Sequence, residues 1–327
     1  MRKIAFALCA LAFLFSACKK SAAPSSEKEQ QAITKRSCAS YEVLQQQLKV
    51  DPSLKQRMDQ IETFTQRMIR SGRLDQGTRT IEIPVVVHVV YSTEQENISD
   101  QQIQSQIDVL NEDYAASNRD IRNTPSLFKQ VTSSGFGVHF SLAQTTRVKT
   151  TVNSFNTTDN VKSTQRGGDD VIDPQHKLNI WACNLGQSLL GYAQFPGGPA
   201  ETDGVVILYS AFGSRSKYPG GTYISKYDLG RTATHEVGHW LNLRHIWGDD
   251  GSSCSGSDLV DDTPNQASLN FGCPSFPHVS CDNSGDMSMN YMDYTDDACM
   301  YMFSKGQQSR ALAVFAAGGP RAALAGN

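Results

Sequence analysis

Between Tyr41 and Ile69 the apolar residues Val43, Leu44, Leu48, Leu54, Met58, Ile61, Phe64 and Met68 recur mostly at spacings of three and four, with Asp51-Pro52 among them. That period lays apolar side chains along one helical face, and the proline breaks the run, so two amphipathic helices are predicted. A polar connection from Ser71-Gly72-Arg73 to Thr78 follows. Ile81 to Tyr91 is a nearly continuous apolar run, rich in Val, and predicts a buried strand. Ser99 to Tyr114 reads as a helix, with Ser99 and Gln102 spaced as a capping box and Ile103, Ile107, Leu110 and Tyr114 on one face. Phe136 to Ala143, Lys177 to Asn184 and Gly204 to Ser210 are further strand candidates. Ser304 to Ala316 is a last helix, stopped by Gly318-Gly319-Pro320. The alternation predicts an α/β fold, a sheet topped by a helix.

The amino end follows a different pattern. Arg2 and Lys3 precede the apolar run Ile4 to Phe15 and then small residues, which predicts a secretory signal over 1–17, too short to span a bilayer comfortably. Phe15-Ser16-Ala17-Cys18 resembles a bacterial lipobox and implies lipidation of Cys18. Phe15 stands where Leu is commoner, so cleavage by the ordinary signal peptidase is the alternative, giving a secreted protein instead of a cell-envelope lipoprotein. Cys9 is discarded with the signal either way. From Lys19 to about Lys35 the composition is that of a tether, which cannot bury a core. With 39% hydrophobic and 19% charged residues in 327, the remainder is ordinary for a globular protein, and a net charge of -3 argues against nucleic acid as partner.

Candidate chemistry is concentrated in His235-Glu236-Val237-Gly238-His239, with His245 six residues on. Histidines four apart share one helical face and can reach one metal ion from it. Glu236 then stands beside the metal as general base, and His245 supplies a third zinc ligand if the helix ends between them. The long form of this motif has Gly at the turn where this chain has Asn242, a residue that tolerates the left-handed conformation. Two satisfied histidines on a buried helix would be the plain alternative. His88 and His139 lie in strand patterns, and His176 and His278 in loops, so none of these is a ligand candidate.

Downstream runs Ser288-Met289-Asn290-Tyr291-Met292-Asp293-Tyr294. Together with the zinc motif, Ile246-Trp247-Gly248-Asp249-Asp250 and Asp261-Asp262-Thr263-Pro264, it resembles the pappalysin family of metzincins, in particular the small ulilysin-like microbial members, over residues 80 to 317. The resemblance implies a zinc endopeptidase acting on proteins or peptides. It implies a mixed twisted sheet with a backing helix and an active-site helix, then a loop-rich C-terminal subdomain closed by a helix. It places Met292 in the methionine turn beneath the imidazoles, with Met289 as the alternative, and makes Tyr294 the oxyanion donor. Gly191 to Pro196 resembles the edge strand on which extended substrates pair.

Arg36-Ser37-Cys38 matches the cysteine-switch pattern of ulilysin-like zymogens, while Ala39 and Ser40 match it loosely. A thiolate is a tight zinc ligand that can hold the position water needs, so Cys38 would keep a zymogen latent until cleavage between Arg70 and Arg79. A disulfide between Cys38 and Cys183 is the alternative. Cys254, Cys273, Cys281 and Cys299 allow three pairings, and the resemblance favours Cys254 with Cys281 and Cys273 with Cys299. No Lys or Arg lies between Arg244 and Lys305, while ten aspartates do. The resemblance implies calcium there, with Asp249, Asp262 and Thr263 as candidate ligands; a solvated acidic face is the other reading. Relatives that cut before Arg or Lys carry an acidic pocket base near the last cysteine. Here Ala298 directly precedes Cys299 and Asp297 is one further back, which leaves basic specificity open. The organisation read from the sequence is a signal over 1–17, a tether and helical pro-segment over 18–80, and a catalytic domain over 81–327. A surface binding or adhesion protein on an inactive metzincin fold is the competing function.

Overall fold

Strand β1 (Ile81–Tyr91) is the centre of the molecule, and from Val85 to Val90 every residue is buried. It lies between β2 (Val138–Lys149) and β3 (Leu178–Cys183), parallel to both. β5 (Val205–Leu208) continues the parallel sheet beyond β3, and the short β4 (Gly191–Ala193) closes it antiparallel, giving the order β2-β1-β3-β5-β4. Parallel strands covered on both faces read as unbroken apolar runs, which is why β1 was legible from end to end. β2 runs six residues past the expected Ala143. Thr145, Thr146 and Arg147 look like loop by composition, but on an edge strand they pair with β1 and still face solvent.

The computed structural model describes residues 33–72, 74 and 80–326. The expected export signal, Cys9 and Cys18 lie outside these, as do residues 73 and 75–79 of the expected activation stretch. From Ile33 onward the chain forms one unit, the described part of the expected pro-segment included. Helices α1 (Ser40–Val50) and α2 (Ser53–Ser71) break at Asp51-Pro52, and α2 ends on Gly72 at a positive φ of 62°. Helix α3 (Asp100–Tyr114) backs the sheet against β2. Only half of its expected capping box forms. Ser99 accepts from the Gln102 N–H, but the Gln102 side chain turns away to the carbonyls of Phe212 and Thr222.

Helix α4 (Arg231–Trp240) crosses behind β4 and β5 and is buried throughout. From Leu241 to Ser304 there is no α-helix or β-strand. Disulfides Cys254–Cys281 and Cys273–Cys299 cross-link this stretch, and Cys38 and Cys183 are buried free thiols, unjoined to each other. Helix α5 (Lys305–Ala313) closes it, begun by a complete capping box of Ser304 and Gln307. It stops short of the expected Ala316.

Candidate active site

Helix α4 carries His235 and His239 on one face, and the chain leaves the helix through Asn242, whose φ of 71° is the left-handed turn that brings His245 back. The three Nε2 atoms converge: His239 Nε2 lies 3.1 Å from that of His235 and 3.1 Å from that of His245. Each ring is oriented from behind through Nδ1: His235 by the Tyr291 carbonyl at 2.6 Å, His239 by the Leu243 carbonyl at 2.8 Å and His245 by the Asp249 carboxylate at 2.6 Å. Acceptors at all three Nδ1 atoms put the ring protons there and aim the Nε2 lone pairs at one another. Facing lone pairs repel unless a cation sits between them. Burial, reinforced by the neighbouring imidazoles, holds His235 and His239 well below the usual histidine range, in the neutral form a metal takes. A tetrahedral zinc with nitrogens at about 2.0–2.1 Å separates them by roughly 3.3 Å, so the donor set fits that metal.

Cys38 completes the set: its sulfur and the three histidines offer ligand atoms all within 4.8 Å of one another. Among the described residues this is the one such grouping of His, Cys, Asp and Glu. The cysteine arrives on a segment paired with the sheet edge. Leu190 N–H donates to the Ser37 carbonyl at 2.9 Å and Ala39 N–H to the Gly191 carbonyl at 3.1 Å, a parallel bridge that adds the pro-segment to β4. Burial, then Glu236, pushes the Cys38 thiol up.

Glu236 is fully buried, and its Oε2 accepts from Ser40 Oγ at 2.9 Å and Cys38 Sγ at 3.2 Å, while Oε1 has no partner. Burial pushes this carboxyl up to about 7 against the opposing pull of Ser40 and Cys38. Tyr294 places its hydroxyl on the same spot from the other side, donating to the Cys38 carbonyl at 2.9 Å and accepting from its N–H at 3.3 Å. Met292 lies under the helix, where a Cβ on Gly238 would stand 2.5 Å from its sulfur. Met289 packs instead with Ile246, Trp247, Met287 and Met302. Trp247 stacks on His245 at 4.3 Å, a contact no sequence signal announced.

Two residues ahead of the cysteine, Arg36 fills a closed pocket. Its guanidinium reaches Asp297, Thr232 Oγ1 and the Thr295 carbonyl, with the Tyr227 ring 5.2 Å away. Asp297 is fully buried and held by the N–H groups of Leu229 and Arg231. A short 3-10 turn over Asp297–Cys299 points it inward, which counting back from Cys299 could not reveal.

The three expected calcium ligands are not gathered. Asp249 orients His245, Asp262 accepts from Ser304 Oγ and the Gly306 N–H at the start of α5, and Thr263 donates to Asp258. His88 is buried between Asp169 and Asn179, His139 pairs across strands with Glu82, and His176 and His278 are exposed.

The family model described as Pregnancy-associated plasma protein-A matches residues 191–316. Extracellular metalloprotease 1 of Coccidioides posadasii is 38% identical over 250 residues, 73% of this chain and 79% of that protein. An extracellular metalloprotease of Pyricularia oryzae is 35% identical over 257 residues, 75% and 79% of the two chains. Among solved structures, a mutant of Tannerella forsythia promirolysin matches with a TM-score of 0.80 and 46% identity over 89% of this chain and 97% of its own. Mature Tannerella forsythia mirolysin in complex with a cleaved peptide matches with a TM-score of 0.72 and 50% identity over 76% and 96%. On fold, metal-binding geometry and these likenesses, the chain belongs to the pappalysin family of metalloproteases, among its small ulilysin-like metzincins.

Proposed function

We propose that this enzyme is a zinc endopeptidase made as a zymogen, in which His235, His239 and His245 hold the metal and Cys38 fills the fourth position until the pro-segment is removed. The convergence of three neutral imidazoles and one thiol on a single point carries this reading. When bound, zinc acidifies water and polarises the scissile carbonyl. Glu236, next to His235 on α4 and 3.2 Å from Cys38 Sγ, takes the proton of the attacking water and delivers it to the leaving amine. Tyr294 stays protonated because burial raises it far above neutrality, and its hydroxyl, now on the Cys38 carbonyl, is placed to donate to the developing oxyanion. An intact Glu236 and Tyr294 speak against an inactive adhesion protein.

The pro-segment also marks the substrate path. It pairs with β4 as an extended peptide would, and Arg36 fills the pocket closed by Asp297. We therefore assign that pocket to the residue after the cut and expect cleavage before arginine, with Asp297 in place of Ala298 as the acidic pocket base. The pro-form of mirolysin covers 89% of this chain and the mature form 76%, which supports a pro-segment ahead of a catalytic domain from about residue 81. Relatives named extracellular support export.

Sequencing the products from a denatured protein library tests both parts. Cleavage that disappears in Glu236→Ala and with a zinc chelator, and arginine enriched after the cut, are the expected results. Persistent cleavage by Glu236→Ala would overturn the catalytic assignment.

A further inference from the structure

We propose that Ser40 is a second inhibitory residue of the pro-segment, acting on the general base where Cys38 acts on the metal site. The proposal rests on the reading of Glu236 as base and of the pro-segment as inhibitor.

Ser40 is fully buried at the first position of α1. Its Oγ lies between two groups of the enzyme, 2.9 Å from Glu236 Oε2 and 2.8 Å from the Ala193 nitrogen. The Ala193 N–H must donate, which leaves the hydroxyl proton for the carboxylate as its shorter contact, with Cys38 Sγ further off at 3.2 Å. The other carboxylate oxygen, Oε1, is buried close to Gly191 of the sheet edge and has no hydrogen-bond partner. Oε2 is the oxygen facing the pro-segment, and Ser40 Oγ and Cys38 Sγ together stand where a water would approach it. Ser40 also holds the edge-strand N–H of Ala193, which an extended substrate would need. One short segment thus engages four groups: the histidines through Cys38 Sγ, Tyr294 through the Cys38 backbone, the edge strand through Ser40, and the base through Ser40 at 2.9 Å and Cys38 Sγ at 3.2 Å.

The test uses the full-length, zinc-loaded chain. Ser40→Ala leaves the Ala193 N–H without a partner and Glu236 Oε2 with Cys38 Sγ alone, and is expected to speed self-processing about tenfold, the size of a lost charge-assisted hydrogen bond. The processed enzyme, which no longer contains residue 40, is expected to match wild type. A second measurement separates an action on the base from a general loosening of the pro-segment. In a Glu236→Ala background, hydroxamate affinity is expected to be unchanged by Ser40→Ala and raised by Cys38→Ala. Self-processing of Ser40→Ala at the wild-type rate would overturn the proposal. So would a rise in hydroxamate affinity equal to that from Cys38→Ala, because Ser40 would then act only as a peg. A silent Cys38→Ala would instead count against the thiolate reading, and the Ser40 result would still be decided by its own rate.

Discussion

Gly191 and Gly238 set the active site by what they lack. A Cβ on Gly191 would stand 2.8 Å from the Val206 carbonyl and 3.0 Å from Glu236 Cγ, and the strand backbone is the less able to move. Gly191→Ala is therefore expected to displace Glu236 and to lower kcat of the processed enzyme about a hundredfold, the cost of a misplaced catalytic group, with KM much less changed. Steady-state kinetics on a peptide substrate, with circular dichroism as a check on folding, would show it; near-normal kcat would mean the base has room. Tyr294→Phe is expected to lower kcat by two to three orders of magnitude, as roughly measured for single oxyanion donors, and a change confined to KM would make the tyrosine a binding residue. The histidines, Glu236 and Tyr294 were readable because they sit in one or two short motifs. Ser40 and Gly191 were not, since Ser40 meets Glu236 across 196 positions and Gly191 gains its meaning only where the strand passes the helix. Asp249 was visible only as one of a run of acids, which suggested calcium; its contact with His245, four residues before it, adds an orienting role that composition did not announce.

At the scale of elements, the pro-segment is held by more than its active-site contacts. Helix α2 packs on α5, where Glu62 makes paired bonds of 3.0 and 2.7 Å to Arg310, whose side chain is fully buried. Arg57 adds a bond of 2.8 Å to the Gly197 carbonyl. Burial alone would raise the Glu62 carboxyl, but the Arg310 bonds outweigh it and hold it below its ordinary 4.5. An acid depressed by docking favours the docked state above its undocked value and stops doing so as the pH falls through the docked one. Acidification below about 4.5 is thus expected to loosen α2, and Glu62→Gln to flatten that dependence, read as amide exchange in α2 against pH. An unchanged pH profile in Glu62→Gln would remove the pair from the mechanism of latency. The two helices and their break at Asp51-Pro52 were legible because a single period governs them. Their docking face was not, because Glu62 and Arg310 are 248 residues apart and each alone reads as a surface charge.

The molecule divides into a sheet-and-helix part, whose periodic sequence is legible, and the stretch from Leu241 to Ser304, which has no α-helix and no β-strand yet carries Met292, Tyr294 and Asp297. There the backbone is held by side chains. Buried Asp293 accepts from Gln266, from both Asn270 groups and from the Tyr294 N–H, and two disulfides span 27 and 26 positions. In the loop-entropy picture each bridge contributes about 3–4 kcal/mol. They are not equivalent for function, because Cys299 ends the short turn that aims Asp297 at Arg36, whereas Cys254–Cys281 lies in outer loops. Replacing Cys273 and Cys299 by serine is therefore expected to lower kcat/KM on an arginine-containing peptide about tenfold, a modest loss of one ion-pair geometry. An apolar counterpart should change little. Replacing Cys254 and Cys281 should lower the melting temperature and leave that selectivity intact. Equal losses on both peptides from the first pair would mean that the bridge supports the whole site and that Asp297 is held by the Leu229 and Arg231 N–H groups alone.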